Sequence, residues 1–256
     1  MKLLQFGAAL QAVPGLNHAV TTREGGVSAG EYGSLNLAFH VDDAIGDVQQ
    51  NRRLLAAALG YDADRLVAAQ QVHGTNSQIV TANDGGSGAF NWDGAIADCD
   101  ALIVAQTDVP VLIQVADCAP ILLVDRANHA LAVIHAGWRG AVGRIASKTL
   151  CKMQQEFGTQ PQDVLAGIGP CLCVECLEVG DEVAAQAPAE SVVAGYAKPH
   201  LDLAAIIRHD LVGSRVPQEQ IEIMPVCPRC QNEMLFSHRG QNGKAGRFGL
   251  VAWWGK

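Results

Sequence analysis

Three apolar runs separated by short breaks constrain this chain most: "ALIVA" at 101–105, "VLIQVADCAPILLV" at 111–124 and "ALAVIHA" at 130–136. Each is shorter than the roughly 20 residues a membrane-crossing helix needs. None shows the polar–apolar alternation of a strand with one wet face, so all three read as strands covered on both sides. Asp125 to His129 make a tight turn, and the second and third runs are expected to form a hairpin. The third run ends unusually: "HAGWRG" (135–140) puts an imidazole, a guanidinium and two glycines at the mouth of a core strand.

The flanking sequence supplies helices and further strands. "RRLLAAALG" (52–60) has helical spacing, with Gly60 suited to a C-cap. Val142, Ile145, Ala146, Leu150, Met153 and Phe157 recur at helical spacing and predict one amphipathic helix after Arg139 that ends at Gly158. "LDLAAIIRHDLVG" (201–213) reads as a helix. "VLAGIGP" (164–170), "IEIMPV" (221–226) and "RFGLVAWW" (247–254) read as strands, and "QQVHGTNSQIVTA" (70–82) as a strand pair or a bent strand. "NDGGSGAFNWDG" (83–94) is a loop. Strands and helices mix without strict alternation, which predicts an α/β or α+β fold in a single domain over residues 1–256.

A net charge of −8 argues against nucleic acid or an anionic membrane as partner, since both call for a basic face, but leaves room for a small anion held by local arginines. The N-terminal "MKLLQFGAALQAVPG" is interrupted by Gln5 and Gln11 and closed by Pro14, so it is expected to be an ordinary first strand rather than a signal peptide. Eight cysteines without an export signal suggest reduced thiols and a cytoplasmic location.

Three residues stand at similar places, on or at the end of apolar strands: His73 in "QQVHGT", Cys118 in "VADCAP" and His135 in "VIHAGWRG". Two imidazoles and a thiolate are the three protein ligands of a catalytic zinc site with one open position, and their wide separation suits convergence from different strands. The same residues allow a nucleophilic Cys118 with a histidine base. The two readings exclude each other, because a metal would occupy the thiolate lone pairs. Asp117 is expected to cap a turn or a helix, with proton transfer as the alternative. Trp138 is a core or pocket-wall candidate, and Arg139 either grips an anion or serves the surface. "FSHRGQNGKAGR" (236–247) is either a phosphate cradle or a solvated turn. Cys173-x-x-Cys176 and Cys227-x-x-Cys230 could close a four-thiolate structural zinc site, although the stretch between the pairs is longer than in the usual zinc ribbon; the alternative is a set of small buried or semi-exposed thiols.

Taken together, "HAVTTREGGVSAGEYGSLNLAFHV", "NRRLL", "QQVHG", "DCDALI", "VADCAPILLVD", "VIHAGWRGAVGRI", "GIGPC" and "FSHRGQNGKAGRFGLVAWW" resemble the laccase-domain family almost end to end. That family is also described as purine nucleoside phosphorylase-like multicopper polyphenol oxidases or peptidoglycan editing factors. The resemblance implies a four-layer sandwich with helices outside two facing sheets, and a zinc ion on His73, Cys118 and His135. Implied activities are phosphorolysis of adenosine, inosine, guanosine and methylthioadenosine, together with adenosine deamination, with a purine nucleoside and phosphate as partners and the chain a monomer or homodimer. Phosphorolysis needs an anion site, for which Arg52, Arg139, Arg239 and Arg247 are candidates. Gly137 and Gly140 are expected to keep bulk away from an approaching substrate. Where the family commonly has Cys-Tyr-Glu-Val, this chain has Cys176-Leu177-Glu178-Val179 and offers no tyrosine hydroxyl. Cys171, Cys173 and Cys230 do not fall on the family pattern, which weighs against the four-thiolate site.

Two alternatives accompany that reading. The editing name implies hydrolysis of an amide in a muramyl precursor, by zinc or by a Cys118 thiolate. Cu2+ could displace zinc by intrinsic affinity, but only eight histidines, none arranged as His-x-His, leave copper-dependent phenol oxidation as a side activity of metal substitution.

Overall fold

The doubly covered strands sit in two sheets that face each other, as seen in a computed structural model describing residues 1–255. In chain order the strands are β1 (Leu3–Leu4), β2 (Leu16–Thr21), β3 (Val67–Ala68), β4 (Ser77–Ile79), β5 (Ala101–Val104), β6 (Val111–Val115), β7 (Ala119–Asp125), β8 (Ala130–Ala136), β9 (Val164–Ile168), β10 (Val192–Val193), β11 (His200–Leu201), β12 (Ile221–Ile223) and β13 (Phe248–Trp254). The helices are α1 (Ala8–Gln11), α2 (Ile45–Leu59), α3 (Trp138–Val142), α4 (Ile145–Phe157), α5 (Asp181–Ala184) and α6 (Leu203–Gly213). One sheet has five strands in the order β1-β2-β13-β6-β3, and the other six in the order β12-β9-β7-β8-β5-β4.

Alternation along each strand sends neighbouring side chains to opposite faces. Between the sheets, Val111, Ile113 and Val115 of β6 and Leu250 of β13 share a core with Leu122 and Val124 of β7 and Leu131 and Val133 of β8. On the far side of the six-stranded sheet, Ile121, Leu123, Ala132 and Ile134 share a core with Ile145, Leu150 and Met153 of α4 and Ile206, Ile207 and Leu211 of α6. On the far side of the other sheet, Leu112 and Val251 meet Leu55 of α2 with Leu35 and Leu37. The result is the expected four layers, α/β/β/α.

The hairpin expected around residues 125–129 is present, with β7 antiparallel to β8 and Ile121 opposite Ile134. Gly60 ends α2 in the left-handed conformation at φ 82°, and Gly158 ends α4 at φ 72°. The N-terminal strand is present as β1, only two residues long and followed by α1.

Three expectations are corrected. The run 111–124 is two strands in different sheets: β6 pairs with β13, β7 pairs with β8, and residues 116–118 carry the chain across, with Asp117 at φ 88°. Continuous apolar sequence hid the break because both faces of both strands are buried. The helix after Arg139 is broken into α3 and α4 at Gly143 and Arg144, the latter at φ 63°. A Cβ on Gly143 would stand 2.7 Å from Thr75 Cγ2, so the chain turns where it meets the 70–76 loop. Of the segment 70–82, only Ser77–Ile79 is strand.

No helix among the described residues is long and apolar enough to cross a membrane.

Candidate functional site

His73, Cys118 and His135 are brought together by three different connections. His135 is the penultimate residue of β8, Cys118 closes the crossover between sheets, and His73 lies in the loop before β4 at φ 59° rather than on a strand. Their donor atoms lie within 4.8 Å of one another, with His73 Nε2 and Cys118 Sγ 3.9 Å apart. The two imidazoles meet edge to face, with centroids 4.6 Å apart. Zinc bonds of about 2.0 Å to nitrogen and 2.3 Å to sulfur place such donors about 3.5 Å apart. The His73–Cys118 pair is close to that spacing, and all three donors lie near enough to share one divalent ion.

The residue that organises this arrangement is Asp100, which the sequence reading did not select. Its carboxylate is fully buried and accepts His135 Nδ1–H at 2.7 Å, leaving Nε2 of that ring for an ion. It also accepts the backbone N–H groups of Gly74 at 2.7 Å and His73 at 3.0 Å. One carboxylate thus fixes the ring plane of one donor and the backbone of another, as partners behind metal-bound histidines do. Burial opposes ionisation of Asp100, but the His135 hydrogen bond and these amides hold its carboxyl below the usual range. A signal was available: Asp100 immediately precedes a core strand in "DCDALI", where an ionised group has reason to be only if it has partners.

Cys118 and His135 shift each other's ionisation in opposite directions. Burial pushes the Cys118 thiol up, yet the two imidazoles, His135 first, draw it down to about 6. Burial likewise opposes charge on His135, but the Cys118 sulfur and the Asp100 carboxylate raise it to about 9.

Gly137 lines the cavity, and its missing side chain has a second role. A Cβ there would stand 3.0 Å from Cys118 Sγ and 3.1 Å from His73 Cδ2, so the missing side chain makes room for the donors themselves. At Gly140 a Cβ would stand 3.3 Å from the Gly74 carbonyl oxygen, which lets the start of α3 approach the His73 loop. Gln71 holds the other side of that loop, its amide donating to Gln114 O and accepting from Gln114 N, at 2.7 and 2.9 Å.

The trio opens into a cavity of about 380 Å³. Trp138, Leu172, Leu177 and Leu203 supply apolar wall, and Gln114, Arg139, Arg239 and Arg247 supply polar groups. Gln114 Oε1 is buried and has no hydrogen-bond partner. Arg139 lies over the Trp138 ring at 4.4 Å. Arg239 is braced through Nη1 to the carbonyls of Cys176 and Glu178 at 2.8 and 2.9 Å, and Arg247 through Nη1 to those of Ala245 and Gly246 at 2.6 and 3.1 Å. Asp117 serves the turn, as expected, accepting from Ser237 Oγ at 2.6 Å and Arg239 N at 2.7 Å, and so ties the crossover to the 236–247 loop.

Arg52 is a correction. It does not line the cavity; it is 2% exposed and its guanidinium donates to the carbonyls of Leu37, Gly88 and Ala89. A buried guanidinium with its donors engaged by backbone is a brace between loops, and no substrate anion meets it there. A second correction concerns Cys173, Cys176, Cys227 and Cys230. The family pattern weighed against their meeting, yet their sulfur atoms lie within 4.8 Å of one another.

Comparison with known proteins agrees with this frame. A family model described as "Multi-copper polyphenol oxidoreductase laccase" matches residues 17–255. A Deinococcus radiodurans protein named purine nucleoside phosphorylase is 41% identical over 94% of this chain and 88% of its own length. A protein from an unknown prokaryote, named adenosine deaminase RL5, is 33% identical over 93% of each chain. The crystal structure of YlmD from Geobacillus stearothermophilus superposes with a TM-score of 0.95 at 33% identity, covering 99% of this chain and 96% of that one.

Proposed function

The chain belongs to the family described as multi-copper polyphenol oxidoreductase laccase, and from that premise we propose that it is a zinc-dependent purine nucleoside phosphorylase that also deaminates adenosine. One observation carries this reading: two imidazoles and one thiolate converge at the floor of a cavity whose apolar walls and arginines suit a nucleoside and an anion. The names of the Deinococcus relative and of adenosine deaminase RL5 support both activities.

His73, Cys118 and His135 would hold the ion. Bound there, it supplies Lewis-acid polarisation and activation of water near neutral pH. The protein's own groups do the rest. Arg139, Arg239 and Arg247 receive phosphate, two of them pre-positioned by bonds from Nη1 to backbone carbonyls. The purine lies against Leu172, Leu177 and Trp138. Gln114 Oε1, an acceptor that costs free energy while it stays unpartnered, takes an N–H of the base. In phosphorolysis a phosphate oxygen bonds to the anomeric carbon as the glycosidic bond breaks, and the purine leaves with that electron pair and a proton. In deamination, water replaces the amino group of adenine and ammonia leaves. Candidate substrates are adenosine, inosine, guanosine and methylthioadenosine.

A second reading has its own observation. Cys118, His135 and Asp100 also form a thiol–imidazole–carboxylate series, suited to a nucleophilic cysteine acting on an amide such as a mis-assembled muramyl precursor. The metal reading accounts for more of the site, because it uses His73 as third donor where the nucleophile needs only one base. A multicopper oxidase is disfavoured by the residues: among the described residues, the groups of three or more donors placed to share an ion are this trio and the four cysteines, and neither contains paired histidines of the His-x-His kind.

The test is to incubate purified protein with adenosine, with and without phosphate. Phosphate-dependent release of adenine with ribose 1-phosphate, and inosine formation without phosphate, are expected. Turnover of a mis-charged muramyl precursor with no change in adenosine would overturn the proposal.

A further inference from the structure

The segment that carries Leu172 and Leu177 into the cavity wall meets the loop after β12 at a second cluster of donors, away from the trio. Cys173 and Cys176 bracket the short turn Val174–Cys176, and Cys227 and Cys230 open the loop after β12. Cys230 Sγ lies 3.8 Å from Cys173 Sγ and 3.5 Å from Cys176 Sγ, and all four sulfurs fall within 4.8 Å. Disulfide sulfurs stand about 2.0 Å apart. Four thiolates about 2.3 Å from a central tetrahedral ion stand about 3.8 Å apart, close to the two distances from Cys230 Sγ.

We propose that Cys173, Cys176, Cys227 and Cys230 hold a structural zinc ion that ties these two segments together. The donor set argues for the metal: four soft sulfurs in a tetrahedron suit zinc and are unsuited to magnesium or calcium, which take oxygen ligands. With four protein ligands no position stays open for substrate, so the ion holds structure and does not react. Binding replaces the thiol protons, which pass to solvent. The consequence reaches the cavity through Arg239. Its Nη1 rests on the carbonyls of Cys176 and Glu178, while its backbone N–H is held by Asp117 beside Cys118. The ion thereby sets the segment on which that guanidinium rests, and Leu172 and Leu177 on the same segment line the cavity. The proposal stands independently of which substrate the cavity takes.

The experiment is elemental analysis of full-length protein, purified in reducing buffer without chelator, alongside single variants. Wild type is expected to carry two zinc equivalents per chain. Cys118→Ser should keep one, Cys230→Ala should keep one, and Cys230→His, which restores a donor, should regain the second. Cobalt substitution of the wild type supplies a readout that does not depend on variants folding. A four-thiolate site gives thiolate-to-cobalt absorption several times that of the one-thiolate trio, and amide exchange across 172–178 and 227–240 should quicken when the ion is removed. The proposal is overturned by a single equivalent that survives Cys230→Ala and vanishes in Cys118→Ser. It is equally overturned by iron in place of zinc, by a disulfide among the four cysteines, or by one-thiolate cobalt absorption alone. Because metal content is the readout, failure here is separate from failure of the nucleoside assay.

Discussion

Asp100 shows how much can rest on a single side chain. Its carboxylate touches His135 Nδ1 and the amides of His73 and Gly74, so it positions two of the three donors without being one. Asp100→Asn presents an N–H where an acceptor is required. Zinc affinity at the trio is expected to drop about 10–100-fold, measured by chelator competition in a Cys230→Ala background so that only this site is counted; unchanged affinity would remove Asp100 from the site. The arginines teach the reverse lesson. Arg52 and Arg239 look alike in sequence, yet one is sealed by three carbonyls and the other lines the cavity. Residue type gave no way to separate them, because a guanidinium that braces loops and one that binds anions use the same donors.

At the scale of elements, the crossover between β6 and β7 matters most, since it delivers Cys118 between the sheets. Asp117 holds that crossover to the 236–247 loop through Ser237, which is fully buried. Ser237→Ala leaves a buried carboxylate short of one hydrogen bond, and a loss of about 1.5–3 kcal/mol is expected in urea unfolding; a change below about 0.5 kcal/mol would mean that the tie contributes little. The helix caps, the β7–β8 hairpin and His135 at the end of β8 were legible in sequence because local chemistry fixes them: glycines at positive φ, a short polar turn, a strand with no polar interruption. The sheet switch at 116–118 was not legible, since strands buried on both faces carry no alternation to mark where one stops. The split between α3 and α4 was missed for a related reason: the apolar period runs through Gly143 and Arg144, and the break falls where Gly143 passes close to Thr75. The two Cys-x-x-Cys pairs were visible, but whether they meet depends on the fold and not on their spacing.

Over the whole molecule, two sheets supply a rigid floor and the loops at one end supply the chemistry. We propose that residues 1–256 form one domain, for which the inter-sheet core is the main support: it draws on β2 near the start of the chain and on β13 at its end. That arrangement is expected to unfold in a single transition. Acid should weaken it through His18 on β2, which is 7% exposed and whose pKa burial lowers from 6.5 to about 4. Between those values the unfolded chain holds the proton and the folded chain does not, so stability falls as pH drops from about 6.5 towards 4, by about 3 kcal/mol in full. His18→Leu should flatten that part of the pH–stability curve, and an unaltered curve would assign the acid sensitivity elsewhere. Metal content must be held constant in this comparison, because ion loss at low pH adds a separate destabilisation.

Anomalous diffraction at the zinc edge, from crystals of protein never exposed to chelator, tests most directly whether the trio is a metal centre. The expected result is a peak about 2.0–2.1 Å from His73 Nε2 and His135 Nε2 and about 2.3 Å from Cys118 Sγ, with the Asp100 carboxylate on the far side of the His135 ring. Fully active protein with no peak among those three atoms would contradict it.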